Sequence, residues 1–447
     1  MKLTVHKLVF ALGLLLFPSL TTLKLAAQET PTPKMRRPVS DEINRLLPKW
    51  MVFSAEYRAR SESTTGIGFA SNRDDSYLLN RFRLKLMVQP ESWLKFGFEA
   101  QDARVWWKNQ SPPAAPYQDT IDLRQGYVEL GDVEKKSLGL RAGRQELSFG
   151  EERIIGISNW VNTSRTFDGF RGTYRKSGYR LDLFAASVVN AKDGQFDEST
   201  SGNDIYGAYL GIPNLVPGAR IEPYFLWRRS SGQTAETGAR GILHFSTLGI
   251  HWTGKVNPRW DYGMEVDRQQ GSLGTDTVSA WAGHWVVGRS FAKARLTPHI
   301  TVEYNYASGD GNPKDGRRNG FDLLYPSGHD RFGIADQAGN RNIRNVRAGL
   351  ELKPSKKWST VGRYDAWWLA DPHDGLYSSG GNLIARVASG AGGRFVGHEL
   401  DGVVAYNFSR ELQMGGGFGH IFPGTFLKHA TPGHSYNFPY LTMTVAF

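Results

Sequence analysis

One stretch of the sequence carries enough charge to run acid–base chemistry or to bind an ion. Residues 143–171 read GRQELSFGEERIIGISNWVNTSRTFDGFR, with four arginines, three glutamates and an aspartate among apolar residues. A guanidinium is planar and permanently charged, so each arginine could grip a carboxylate with paired N–H donors. The stretch is a candidate reaction centre, a salt-bridged fold element or the wall of a cavity. Its arginines are Arg144, Arg153, Arg165 and Arg171.

The rest of the chain offers no support for a reaction centre. The sequence contains no GxSxG, HExxH or P-loop motif, its eleven histidines are scattered, and it has no cysteine. Disulfides, thiolate metal sites and a cysteine nucleophile are therefore excluded. We predict that the protein is not an enzyme. A Ser/His hydrolase site on the protein wall is the alternative.

A glycine-rich stretch, SGDGNPKDGRRNGFD at 308–322, offers oxygen ligands for a cation. It contains Asp310, Asn312 and Asp315 with glycines between them, whereas a calcium loop needs an oxygen ligand at every second position. Lys314 stands where a ligand should be. We interpret 310–315 as a solvated loop, with Ca²⁺ as the alternative, and predict no other cofactor.

The chain begins with segments that belong to export rather than to the fold. Residues 1–27 combine Lys2 and Lys7 with a short apolar run and small residues, so we predict a secretory signal peptide. Residues 28–49 are polar and rich in proline, and predict a flexible periplasmic leader. The net charge of +11 is spread without a Lys/Arg block, which argues against a nucleic-acid partner.

From residue 50 onward the chain alternates apolar and polar residues in short runs, the pattern of β-strands. The connections alternate too: tight turns such as 176–178 and 257–259 alternate with long loops such as 308–342 and 369–396. We predict eighteen strands, at 51–60, 77–89, 93–105, 122–130, 138–149, 167–175, 179–190, 204–212, 219–230, 245–256, 260–270, 278–288, 294–307, 343–353, 358–368, 397–408, 411–421 and 439–447.

The two faces of these strands differ in chemistry. Within 77–89, Phe82 and Leu84 share one face while Arg81 and Arg83 share the other. Tryptophans begin several strands just after short turns, as expected at a membrane interface. We predict an all-β fold over 50–447: a transmembrane up-and-down antiparallel β-barrel of about 18 strands, with long external loops and short periplasmic turns. An aqueous lumen rather than a packed core is expected at this size.

Charges that face the lumen are divided between its two sides. Basic residues dominate the first six strands, and acidic residues gather in 260–270 and 397–408. A wall that is basic on one side attracts anions and can bind carboxylates weakly enough to release them. Alternatively, most of these charges simply neutralise one another.

Several stretches, read in order, resemble the alginate export family of outer-membrane proteins. They include RDDSYLLNRFRLKL, WLKFGFEAQDARVW, IDLRQGYVELGD, GFDLLYPSGHDRFG, WWLADPHDGLYSSGG and GHIFPGTFLK. The resemblance implies a monomeric 18-stranded barrel that exports an anionic polymer through an arginine-lined constriction, with loops that partly plug the pore. Strand parity supports inward positions for Arg81, Arg83 and Arg171 and is ambiguous for Arg104, Arg124 and Arg144. The pore-lining or substrate-binding residues implied are Arg81, Arg83, Lys85, Arg104, Arg124, Arg144, Arg153, Arg165, Asp168, Arg171 and Arg363.

These observations lead to one main hypothesis and two alternatives. The main one is an outer-membrane channel of a Gram-negative bacterium for passive export of an alginate-like polyuronate, with periplasmic export machinery as a further partner. The first alternative is a general or substrate-specific porin for uptake of small acidic solutes. The second is a structural or adhesive barrel with a blocked lumen.

Overall fold

The computed structural model describes residues 39–447. The predicted signal peptide, 1–27, and residues 28–38 of the predicted leader lie outside the described residues. The remainder of that leader contains helix α1, Val39–Leu46. Asn44 fixes this helix to the first strand, because its side chain donates to the Phe53 carbonyl at 2.8 Å and accepts from the Phe53 amide at 2.6 Å.

Twenty-one strands follow, and eighteen of them form a closed antiparallel barrel, as predicted. The barrel strands are β1 Met51–Thr64, β2 Asp75–Glu91, β3 Leu94–Trp106, β4 Asp119–Gly131, β5 Leu138–Gln145, β6 Phe167–Lys176, β7 Tyr179–Asn190, β8 Glu198–Pro213, β9 Ala219–Thr234, β10 Arg240–Asn257, β11 Trp260–Leu273, β12 Asp276–Ser290, β13 His299–Ala307, β15 Ile343–Ser355, β16 Trp358–Leu369, β19 Phe395–Asn407, β20 Leu412–Pro423 and β21 Tyr436–Ala446.

Each barrel strand pairs with the next, and β1 pairs with β21 from Glu56 opposite Ala446 to Glu62 opposite Tyr440. The barrel therefore has no open edge, as a sheet in lipid requires. The other elements lie in connections: β14 at Arg317–Arg318, the hairpin β17 Gly375–Tyr377 with β18 Leu383–Arg386, a 3₁₀ turn at Ile67–Phe69, and helix α2 at Thr425–Ala430. Among residues 39–447, neither helix is long and apolar enough to cross a membrane.

Connections of different length lie at opposite ends of the barrel. One end carries the short turns, such as 177–178 and 356–357, and the other carries the long loops, such as 146–166 and 308–342. One exception is the β11–β12 connection, 274–275, which is short at the long-loop end. The predicted run 294–307 also begins too early, because Leu296 and Thr297 have positive φ and lie in the turn before β13.

The outer face of the barrel is apolar. Outward side chains such as Phe82, Leu248 and Val302 are exposed, while the alternating residues of the same strands point inward. Trp93, Trp260 and Trp358 are exposed at the short-turn end, where they match an interfacial girdle.

The lumen is filled rather than open, which corrects the expectation of an aqueous lumen. Residues 146–166, the first lumen loop, and residues 308–342, the second lumen loop, fold into the barrel. Leu147, Phe149 and Ile155 of the first loop and Phe321 and Phe332 of the second are buried in one apolar cluster. Inward side chains of the wall complete this cluster, including Phe184, Tyr209, Tyr224, Leu226 and Phe245.

Candidate functional site in the barrel lumen

One side of the lumen is lined by the arginine wall, which we define as Arg58 and Arg60 of β1 with Arg81 and Arg83 of β2. Alternation places all four on the inward face, and Arg58 lies directly opposite Arg81. These strands are adjacent because they form a hairpin, so four guanidinium groups gather on a small area. Arg81 is only 1% exposed.

The first lumen loop covers the arginine wall with backbone carbonyls. Arg58 donates to the Asn159 carbonyl at 2.8 Å and to the Trp160 carbonyl at 3.1 Å. Arg60 donates to the Trp160 carbonyl at 2.6 Å, and Arg81 donates to the Asn159 carbonyl at 3.0 Å. The loop thus offers uncharged oxygens to guanidinium groups that prefer carboxylates.

Carboxylates neutralise the arginine wall only in part. Glu62 pairs with Arg60 at 2.6 Å, and Glu56 pairs with Arg81 at 2.7 Å. Within residues 39–447, Arg58 has no carboxylate oxygen within 4.0 Å. This side of the lumen therefore depends on the loop carbonyls to satisfy its donors.

Acidic residues on other barrel strands bind basic and amide groups of the two loops. Arg153 of the first loop crosses the lumen and donates to Glu303 of β13 at 2.9 Å. In the second loop, the Ala335 amide donates to Glu399 at 2.9 Å. Of the two predicted acidic runs, 397–408 supplies Glu399 to these contacts, whereas Glu303 lies outside both.

Asp330 of the second lumen loop links two inward arginines that lie outside the arginine wall. Its carboxylate accepts from Arg347 of β15 at 3.2 Å and from Arg363 of β16 at 2.5 Å. Arg347 also donates to the Asp330 carbonyl at 2.7 Å. The second loop therefore presents an acid to basic residues and amides to acidic ones.

The two lumen loops are joined to each other. Trp160 stacks on His329 with ring centroids 3.6 Å apart, and Arg165 donates to the Pro326 carbonyl at 2.9 Å. Burial lowers the pKa of Arg165 to about 10, because it desolvates the guanidinium. Arg331 also donates to the Glu151 carbonyl. These contacts make the loops one plug.

The structure separates the predicted site residues into groups. Arg81, Arg83, Lys85, Arg124, Arg171 and Arg363 face the lumen, and Arg153 and Arg165 lie in the first lumen loop inside it. Most of these have protein partners; for example, Arg124 contacts Glu99 and Glu146, and Arg171 donates to Asp182 at 2.9 Å. In the described part of the chain, Lys85 has no carboxylate within 4.0 Å.

Three of the predicted pore-lining residues lie on the outward face instead. Arg104 shares its face with Trp106, pairs with Asp102 at 2.9 Å, and has a side chain that is 42% exposed. Arg144 pairs with Asp168 at 2.8 Å, and Asp168 shares its face with the exposed Phe170. Strand parity puts these residues outside the lumen, so their prediction as pore-lining is wrong.

Several lumen residues were missing from the predicted site. Arg58 and Arg60 belong to it, and the alternation of β1 already indicated their inward direction. Asp330, Trp160 and His329 carried no such signal, because they lie in loops that have no alternation.

The segment 310–315 carries the candidate metal ligands Asp310, Asn312 and Asp315. Asp310 hydrogen-bonds through its amide to Asp374 at 2.7 Å, and Lys314 turns back to the Asn312 carbonyl through its own amide at 2.8 Å. In residues 39–447, the one group of three acids with converging ligand atoms is elsewhere, at Asp119, Asp122 and Asp197. The solvated loop at 310–315 stays the prediction, with Ca²⁺ as its alternative.

Comparison with known proteins identifies the family. The sequence matches the model of the alginate export family over residues 49–440. The chain belongs to the alginate export family. No curated protein matches it.

Solved structures agree with the barrel of this alginate export family member. OpdQ of Pseudomonas aeruginosa has a TM-score of 0.61 at 12% identity, covering 89% of this chain and 98% of that one. OpdO of the same organism has a TM-score of 0.59 at 10% identity, covering 90% and 98%. At such identities the likeness concerns the fold alone. Family and fold together make the protein a channel of the Gram-negative outer membrane.

Proposed function

We propose that this channel passively exports an anionic, uronate-bearing polysaccharide. The observation that carries the proposal is the arginine wall, where Arg58 and its neighbours donate to carbonyls of Asn159 and Trp160. Carboxylates are stronger acceptors for guanidinium groups than neutral carbonyls are. An acidic polymer can therefore replace the loop as the hydrogen-bond acceptor at the arginine wall.

In this mechanism the first lumen loop plugs the lumen and competes with the polymer for the arginine wall. When the loop leaves, Arg58, Arg60 and Arg81 lose their carbonyl partners and become available to successive carboxylates of the polymer. Glu56 and Glu62 keep the net charge of the wall low, which weakens each contact and allows release. Glu303 and Glu399 on other strands repel the polymer, which favours its contact with the arginine wall.

Planar-bilayer recordings test the proposal with one variant and a matched control. Wild-type channels are expected to prefer anions and to be blocked by polyuronate. Arg81→Glu should lower the anion-to-cation permeability ratio severalfold and relieve the block. Arg104→Glu reverses a charge on the outward face of the neighbouring strand and should leave both properties unchanged. Cation preference in the wild type, or indifference to polyuronate, would contradict the proposal.

Uptake of a small acidic solute is a second candidate. It is favoured by a cavity of about 390 Å³ at the external mouth, between the wall and the lumen loops. That volume suits a small molecule rather than a polymer. Arg60 and Lys108 contribute to its lining, as do the carboxylates of Glu62, Asp75 and Asp336. Liposome swelling driven by small uronates, without block by the polymer, would favour this candidate over export.

The protein is proposed to act as a monomer, since one chain closes the barrel on itself. Periplasmic export machinery is proposed as its partner for delivery of the polymer. Cross-linking of the purified channel in membranes tests the monomer.

A further inference from the structure

The barrel wall has a gap in strand pairing near its external end. Strand β5 pairs with β4 only from Gly126 opposite Arg144 to Gly131 opposite Gly139, because the chain turns into the lumen after Gln145. The external half of β4, residues 119–125, therefore has no partner on that side. On its other side it pairs with β3 as far as Asp119.

The β7–β8 connection, residues 191–197, covers this gap, and we call it the gap loop. Its Asp193 accepts from the Gln118 side chain at 2.7 Å and from the Thr120 amide at 3.0 Å. The Asp197 amide donates to the Asp122 carboxylate at 2.5 Å. These side-chain contacts stand in place of the backbone hydrogen bonds that a neighbouring strand would make with β4.

Three acidic side chains converge where the gap loop meets β4. One carboxylate oxygen from each of Asp119, Asp122 and Asp197 lies within 4.8 Å of the others. All three residues are buried, and Asp119 is only 2% exposed. We call this group the acid trio.

The acid trio lacks a compensating charge in the protein. Among residues 39–447, no lysine, arginine or histidine nitrogen lies within 4.0 Å of any of its carboxylates. The nearest basic contact is to the backbone, since Arg144 donates to the Asp197 carbonyl at 2.6 Å. Buried carboxylates without a partner are costly.

Asp119 supplies an independent sign of a ligand. Its Oδ1 atom is buried and has no hydrogen-bond partner in the described part of the chain. The oxygens of Asp122, by contrast, accept from the amides of Leu123 and Asp197, both at 2.5 Å. A buried oxygen without a donor suits a hard cation, which binds carboxylate oxygens.

We propose that the acid trio binds Ca²⁺ and that the ion fastens the gap loop to β4. Three carboxylates carry three negative charges, which Ca²⁺ and the neighbouring Arg144 would balance. Asp119 and Asp122 come from the wall and Asp197 comes from the gap loop, so the ion bridges the two. Ca²⁺ accepts irregular oxygen coordination completed by water, whereas Mg²⁺ demands a near-ideal octahedron.

Calorimetric titration of the purified, full-length channel in detergent tests the site with Ca²⁺ and Mg²⁺ as probes. One Ca²⁺ per chain is expected to bind, more tightly than Mg²⁺. Asp119→Asn and Asp197→Asn should each weaken the affinity by about 10-fold or more, since each removes a charged ligand. Asp193→Asn is the matched control, because Asp193 lies in the gap loop but outside the acid trio.

Trypsin cleavage after the exposed Lys192 reports whether the ion holds the gap loop. Ca²⁺ at 100 times its dissociation constant should slow this cleavage by about 100-fold in the wild type, and chelator should reverse the effect. Asp197→Asn should abolish the protection, and a heat-modifiable gel shift would show that the variant barrel is folded.

Two results would overturn the proposal. One is the absence of Ca²⁺ binding by the folded wild type, which would mean that the acid trio is held by shared protons. The other is binding that persists in Asp119→Asn and Asp197→Asn but is lost in Asp193→Asn. Neither result depends on the transported solute, so these experiments leave the proposed export function to be tested separately.

Discussion

Arg153 reaches across the lumen from the first loop and donates to Glu303 of β13 at 2.9 Å. Arg153 also contacts His284, with 3.2 Å between Nη2 and Nε2. The same loop meets the arginine wall through its carbonyls. The loop is therefore held at two places: its Arg153 side chain binds Glu303, and its backbone carbonyls bind the arginine wall.

Arg153→Met is expected to loosen the plug. A hydrogen bond between charged groups contributes about 1.5–3 kcal/mol, so the frequency of channel openings should rise by at least about 10-fold. Single-channel recording measures this. Glu303→Gln should act in the same direction, and the double variant should add little to either change, because both remove one contact. Fully additive effects would show that the two residues act independently.

Replacement of residues 150–163 by a short Gly/Ser linker is expected to raise both conductance and anion preference. The replacement removes the carbonyls of Asn159, Trp160 and Val161, which frees the arginine wall. Conductance in a planar bilayer measures the change. Replacement of the largely exposed external residues 388–391 by Gly and Ser is the control, and an equal gain there would refute a specific role for the first loop.

Arg171 is expected to matter for stability and not for selectivity. Its guanidinium is buried against Asp182 at 2.9 Å and Glu134 at 3.2 Å. Arg171→Met leaves Asp182 with Arg180 and Thr173 as partners and should reduce the free energy of unfolding by about 1–3 kcal/mol. Urea unfolding in lipid vesicles measures the loss. A changed permeability ratio in this variant would show that Arg171 meets the solute.

The segment around Asp310 is expected to loosen as the pH rises. Burial, together with nearby Glu236, raises the pKa of Asp310 from 3.8 to about 6. Because the folded state binds the proton more tightly, the stability it contributes is present below about pH 3.8 and lost as the pH rises to about 6.

Hydrogen exchange of residues 308–316 should therefore speed up over that interval, and Asp310→Asn should abolish the change. Asp315→Asn, at an exposed position of the same loop, should retain it. A pH-independent exchange rate in the wild type would contradict the assignment to Asp310.

The barrel was predictable from the sequence because its signals are local. Apolar and polar residues alternate with a period of two within each strand, and the short turns and long loops directly adjoin the strands. The inward direction of the arginines of β2 followed from the same period. The inward direction of Arg124 did not, because β4 has one extra residue opposite Glu99 and Ala100, which shifts the register.

The errors and omissions at the site have equally physical causes. Arg104 and Arg144 were assigned to the pore by resemblance to a family motif, although strand parity did not support it. The partners of the arginine wall are contacts between residues about a hundred positions apart, such as Arg58 with Asn159. No local pattern encodes such contacts, because loops have neither strand nor helix periodicity to give their side chains a direction.

The apolar cluster of the lumen also links the two ends of the barrel sequence. It joins Phe69 near one end to Phe438 near the other, with both lumen loops between them. Trp160 of the first loop likewise contacts Arg60 of β1 and Tyr440 of β21. The plug therefore also braces the seam at which the first and last strands close the barrel.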